Sequence, residues 1–273
     1  MAEFAPIQIT VADPAPIALS VIDTGVPGDD RPVLVCLHGV GGKKEQWREQ
    51  ISYFAARRRV IAPDLRGHNQ SDAAPPYTID QITADLQAVL DARQVRMPVA
   101  LLAHSYGGVF ALHLAQTHPE LVDRIVLIGV AERFNYGLLF KLATLAPVPG
   151  AWLEWARVLL FRRKFNATAP VMRALMREAL LPWRGWDRLD QITQPVLALA
   201  GKLDVVAPPL AVARMVRQMP NAQLQVVLDV KHKMHLQRPS KTNQLIEVFL
   251  GANGTETSDR DHTYDHDSRT EER

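Results

Sequence analysis

Cysteine is nearly absent from this 273-residue chain: Cys36 is alone, so no disulfide can form within it. Cys36 sits in a strand pattern, where a buried thiol acts as a small hydrophobe. No apolar stretch approaches the ~18–20 residues needed to span a bilayer. The opening MAEFAPIQIT has no basic region followed by a long apolar run, so no secretory leader is expected and a cytoplasmic protein is. A large excess of one charge is also missing. The net charge of +2 gives no reason to expect a nucleic-acid partner. There is no internal repeat. An apolar content of 47% supplies a sizeable core.

The near-balance of charge hides an asymmetry. Residues 251–273 hold seven acids and three bases, with almost no apolar residues, and are expected to be a disordered acidic tail. Residues 131–190 hold ten bases and five acids. That stretch has about sixty residues of helical pattern and no strand signal, too long for an ordinary connection, and is expected to be an inserted helical lid. Elsewhere apolar runs alternate with helical periods. Strands are expected near Ile7–Val11, Ile17–Ile22, Pro32–Leu37, Arg59–Pro63, Pro98–His104, Arg124–Val130, Pro195–Ala200 and Leu224–Leu228. The pattern predicts an α/β fold: a mostly parallel sheet of about eight strands with helices on both faces. Residues 1–130 and 191–250 form its core, 131–190 the lid and 251–273 the tail.

The chemistry concentrates at the ends of those strands. The stretch AHSYGG, Ala103 to Gly108, turns a buried strand straight into a helix. A serine in such a turn is either a helix N-cap or an exposed nucleophile. Small neighbours at Ala103 and Gly107 fit a sharp, strained turn, and Gly107 and Gly108 let the helix pack closely. A serine nucleophile needs a base and an orienting acid, in the chain order Ser, acid, His. Asp204, in Gly201-Lys202-Leu203-Asp204, and His232, after the last strand, fall at the same edge of the sheet. The loop His38-Gly39-Val40-Gly41-Gly42 ends another strand. It is either a flexible turn or the second half of an oxyanion hole, with the Val40 and Tyr106 backbone N–H groups as donors. It is not a phosphate loop, because Leu37 and Lys44 occupy positions such motifs reserve for glycine or a hydroxyl residue.

Taken in order, HGVGG, DLRGHNQSD, AHSYGG, GKLD and KHKMHLQRP resemble the α/β-hydrolase fold family over about residues 5–250. The resemblance implies a serine hydrolase acting on a carboxylic ester, lactone or thioester, with Ser105, Asp204 and His232 as its triad and no metal or cofactor. His232 precedes Pro239 by the family's seven residues, which sets it above His235. Lys231 stands in place of the usual glycine before that histidine, and Asn69 in place of another. Some members carry the acid one strand earlier, which makes Glu132 the rival to Asp204. Asp64 is expected to order a loop, and His38 to organise the oxyanion turn. Members using an aspartate nucleophile, the epoxide hydrolases and haloalkane dehalogenases, are disfavoured by serine at position 105.

The substrate is less legible. Trp152, Trp155 and Leu159 share one helical face of the lid, flanked by Arg157, Arg162, Arg163 and Lys164. That face either packs on the core or lines an apolar acyl pocket, making these three the pocket candidates. Other functions compatible with the motifs are acyl transfer, cofactor-free peroxidase-type activity and carbon–carbon bond hydrolysis. A binding protein with little turnover also fits them.

Overall fold

The computed structural model describes residues 4–12, 16–132, 134–135, 148–161 and 165–251. The acidic tail beyond Gly251 lies outside these residues, as do Arg162, Arg163 and Lys164 of the basic lid segment.

Eight strands form one sheet: β1 (Ile7–Val11), β2 (Ile17–Asp23), β3 (Val33–Leu37), β4 (Arg59–Pro63), β5 (Val99–His104), β6 (Val122–Ile128), β7 (Val196–Gly201) and β8 (Ala222–Val227). Their spatial order is β1-β2-β4-β3-β5-β6-β7-β8. The hairpin strand β2 runs antiparallel to both of its neighbours, and every other pair is parallel. Consequently β3, β5, β6, β7 and β8 all end on one edge.

The central strands are buried on both faces, so they read as unbroken apolar runs. Period-two alternation divides their side chains between two cores. Val33, Val35 and Leu37 face one side, and Leu34 and Cys36 the other. The first core receives α2 (Ile79–Ala92) through Ile82, Leu86 and Val89, and α3 (Gly107–Thr117) through Val109, Phe110 and Leu114. The second receives α1 (Arg48–Phe54) through Ile51 and Phe54, together with Trp47 from the 3-10 turn before it. Cys36 is fully buried there, and desolvation pushes its thiol pKa far up.

Between β6 and β7 lies the inserted helical region. Among the described residues it contains α4 (Gly150–Phe161), α5 (Ala169–Ala174), a π-helical turn over Leu175–Leu180 and a 3-10 stretch over Gly185–Gln191. Thr168 caps α5, its hydroxyl accepting from Val171 N. Glu154 of α4 accepts from Ala169 N at 2.7 Å, which moors α4 to the start of α5. Val171, Leu175, Met176 and Ala179 join the first core. Among the described residues the expected strand-free run has one exception: Ala167 forms an isolated antiparallel bridge with His68. After β7 come α6 (Pro209–Val216), then α7 (Met234–Gln237) and α8 (Pro239–Gly251), which closes the second core through Ile246, Phe249 and Leu250. No helix among the described residues is long and apolar enough to cross a membrane.

Candidate active site

Ser105 stands between β5 and α3 with φ +52°, in the left-handed region that a non-glycine residue adopts only at a cost. Its N–H is bonded to Ile128 O of β6 at 2.8 Å. An N-cap residue has extended backbone, and the first turn of α3 carries no side-chain cap bond. The backbone of Ser105 is therefore that of a sharp turn, not of a cap. Gly107 allows the approach of α3 to the sheet, for a Cβ there would lie 2.5 Å from Leu37 O.

On the same edge, beyond β7 and β8, His232 Nδ1 lies 2.8 Å from Asp204 Oδ2. The carboxylate is fully buried, and its other oxygen accepts from Val206 N at 2.8 Å and Ala207 N at 3.0 Å. Those two N–H groups give the buried oxygen the hydrogen bonds that solvent cannot reach to supply. The imidazole retains 19% exposure, so the pair opens toward solvent on the histidine side only. Glu132, the rival acid, instead accepts from Gln218 Nε2 at 3.3 Å. The structure thus brings Asp204, not Glu132, to His232.

Gly129, at the end of β6, underlies this pair with φ +59°. A Cβ there would meet His232 Nδ1 at 2.9 Å and Asp204 Oδ2 at 3.2 Å, so any side chain would push the pair apart. None of the sequence motifs includes Gly129. The available signal was its position at the end of a strand between those of Ser105 and Asp204. Lys231, where the resemblance has glycine, is not among the positive-φ residues, so its side chain costs the backbone nothing there. Asn69 does adopt positive φ, +48°, as an asparagine tolerates.

Behind the site His104 lies against two other histidines. His104 Nε2 donates to the His232 carbonyl at 3.0 Å, and its ring lies 4.8 Å from that of His232 and 4.6 Å from that of His235. His235 in turn lies against Trp47 at 4.7 Å. His235 is fully buried, and burial lowers its pKa to about 3. It is a packed, neutral group, while His232 is the one that reaches solvent.

The turn around Val40 is ordered by groups outside it. Gly42 N donates to Gly39 O at 2.9 Å, closing the turn over Val40 and Gly41. Gly39 lies against Ser105, since a Cβ on it would stand 3.2 Å from Ser105 Cβ. His38 Nε2 accepts from Leu65 N at 3.0 Å while Nδ1 donates to Gly39 O at 2.9 Å, which fixes a neutral tautomer. Burial lowers the His38 pKa to about 4. Asp64 orders the neighbouring loop as expected, accepting from Lys44 N at 2.7 Å and Asn69 Nδ2 at 2.9 Å. It also pairs with Lys44 Nζ at 2.6 Å, both side chains being completely buried.

The three pocket candidates behave differently. Trp152, Trp155 and Leu159 are 72%, 69% and 60% exposed. Among the described residues they form an outward stripe on α4, neither packed on the core nor enclosed. Among the described residues no group of three metal-ligating side chains is placed to hold a metal ion.

Comparison with known proteins bears on the fold. Over 245 residues the chain is 29% identical to human Protein ABHD8, covering 80% of this chain and 55% of that protein, so it spans about half the length of this relative. It is 27% identical over 241 residues to the putative carbamate hydrolase RutD of Stutzerimonas stutzeri, covering 80% of this chain and 91% of that one. The enol-lactonase of Burkholderia xenovorans LB400 shares the fold, with a TM-score of 0.74, 21% identity, and coverage of 89% of this chain and 100% of that one. A family model described as alpha/beta hydrolase fold matches residues 32–185, more than half of the chain. The chain belongs to the α/β-hydrolase fold family.

Proposed function

We propose that this protein hydrolyses a carboxylic ester, lactones and thioesters included, through an acyl-enzyme on Ser105. One observation carries the reading. A serine in a left-handed strand-to-helix turn shares its sheet edge with a histidine whose Nδ1 lies against a buried, hydrogen-bonded carboxylate.

In this mechanism the His232 imidazole removes the Ser105 hydroxyl proton as Oγ attacks the carbonyl carbon. Asp204 holds the tautomer with the proton on Nδ1 and stabilises the imidazolium that forms. The Val40 and Tyr106 N–H groups bind the developing oxyanion. Collapse expels the alcohol, which takes the proton from His232. Water then attacks the acyl-enzyme with His232 again as base, and the acid leaves. Beyond substrate and water, the steps are assigned to side chains and backbone of this chain. Residues 131–190 act as the lid over the core formed by 1–130 and 191–250. The acyl part meets the outward stripe of Trp152, Trp155 and Leu159 as the substrate arrives across α4. An enol-lactonase and a putative carbamate hydrolase, both named for acyl chemistry, are among the similar proteins.

Labelling with a serine-directed fluorophosphonate, read by peptide mass spectrometry, tests the nucleophile directly. A single adduct at Ser105, lost in Ser105→Ala, is the expected result. An adduct on another serine of an active protein overturns the assignment. A panel of nitrophenyl esters, lactones and thioesters then defines the acyl preference.

A further inference from the structure

We propose that Asn166 is a positioning residue for the Val40 turn, so that the inserted helical region completes the reaction centre and does not merely cover it. This rests on the reading above in which the Val40 N–H is an oxyanion donor.

The turn it holds is intrinsically loose. Gly39, Gly41 and Gly42 surround Val40, and glycine loses more backbone freedom on ordering than any other residue. A donor stabilises a developing charge fully only if it is already in place when the charge appears. Something outside the turn must therefore fix it, and the structure shows two such fixings on Gly41. Its N–H donates to His68 Nε2 at 3.1 Å. Its carbonyl accepts twice from one residue, from Asn166 N at 2.9 Å and from Asn166 Nδ2 at 3.1 Å. Gly41 needs its φ of +66°, and the Phe165 ring fills the space a side chain would take, with Cδ1 2.5 Å from the place of a Cβ.

The same segment is fastened to the core loop beside the turn. Asn166 O accepts from Asn69 N at 2.6 Å, and Ala167 bridges His68. Residues 165–167 thus grip the loop 68–69 with one set of backbone groups and Gly41 with another. His68 is held neutral by burial, which lowers its pKa to about 3, so its Nε2 stays an acceptor for Gly41 N–H. Asparagine suits the position because backbone and side-chain N–H groups of one residue converge on one carbonyl. With the amide gone, the backbone bond survives but the Gly41 peptide regains freedom to rock. That Gly41–Gly42 peptide also carries the N–H bonded to Gly39 O, and the Gly39–Val40 peptide bears the Val40 N–H, so the donor's orientation loosens with it.

The test uses the full chain as wild type, Asn166→Ala, Asn166→Asp and, for comparison, Thr168→Ala. Thr168→Ala removes the α5 cap without touching Gly41. Steady-state kinetics on nitrophenyl acetate, inhibition by a phenylboronic acid and hydrogen exchange at residues 39–42 are read together. Asn166→Ala should lower kcat roughly tenfold to a hundredfold with KM within about twofold, and weaken the boronate by a similar factor. Exchange at 39–42 should quicken. Asn166→Asp matches asparagine in size but loses the donor, and it should reproduce these losses even if the alanine variant does not fold. Thr168→Ala should lower the melting temperature while keeping kcat. Unchanged kcat in an Asn166 variant of an active protein overturns the proposal, as does unchanged exchange at 39–42. Equal losses in Thr168→Ala overturn it too, because they would mark a general effect of lid stability. An inactive wild type whose exchange at 39–42 still rises on substitution sinks the esterase reading and leaves the clamp standing.

Discussion

His104, the residue before Ser105, donates from Nε2 to the backbone carbonyl of His232 at 3.0 Å. The strand that ends in the serine therefore also carries the loop that holds the histidine. Two residues 127 positions apart in sequence are placed by a single buried, neutral imidazole, whose pKa burial drives well below the usual value. Such coupling means that small changes around β5 should be felt at both ends of the proposed proton transfer.

Substitution at Ser105 separates strain from function. Ser105→Ala should abolish ester turnover and leave the melting temperature nearly unchanged. Ser105→Gly should be equally inactive yet more stable, by up to about 1 kcal/mol, because glycine adopts φ +52° without the side-chain penalty. Thermal melting of both variants checks this. A glycine variant less stable than the alanine one would mean that the turn is not strained.

The carboxylate assignment has a quantitative signature. Asp204→Asn should cost on the order of a thousandfold or more in kcat, since an amide no longer enforces the tautomer with the proton on His232 Nδ1. Glu132→Gln, whose side chain meets Gln218, should cost little. His232→Ala should be as severe as the loss of Ser105. His235→Ala should act mainly on stability, by roughly 1–3 kcal/mol, since a packed ring between Trp47 and His104 is lost. Comparable kinetic losses at His232 and His235 would mean that the wrong histidine has been placed at the base position.

Acid should destabilise the protein early. His38, His68 and His235 have native pKa values of about 4, 3 and 3, against 6.5 when unfolded. The unfolded chain therefore binds protons that the native state refuses. Stability is complete above pH 6.5 and is lost as pH falls from there toward 4 and below. Each group adds on the order of 1.4 kcal/mol of loss per pH unit within its window. Urea unfolding between pH 7 and 5 measures the slope, and a flat profile would mean that these rings are protonated in the fold.

The exposed stripe on α4 is tested by chain length. Trp155→Ala should lower kcat/KM for an octanoyl ester more than for an acetyl ester, by roughly 1–3 kcal/mol of selectivity, if the stripe meets the acyl chain. Equal effects on both esters would show that acyl chains do not cross α4.

How far the fold was legible depends on where each element is buried. Strands β3, β5 and β7 lie between two cores, so their apolar runs mark them with little ambiguity. Strand β8 is an edge strand of alternating exposure, and it begins at Ala222, two residues before the apolar signal at Leu224. The site motifs could be read because each is a short turn dictated by local backbone geometry. Asn166 could not, since its partner Gly41 is 125 residues away and nothing around it is periodic. The outward turn of Trp152 and Trp155 was equally hidden. An apolar helical face shows which residues lie together but not which way they point, and here Trp152 and Trp155 are exposed.

The solitary Cys36 has a practical corollary for experiment. Its thiol is sealed in the middle of the central strand and held protonated, so maleimides and other thiol reagents should find nothing to react with on the native molecule. A cysteine introduced at an exposed position can then carry a fluorophore or spin label with no background from the wild-type chain. Slow labelling of Cys36 itself should report the rare global openings of the sheet, which makes it a built-in clock for unfolding.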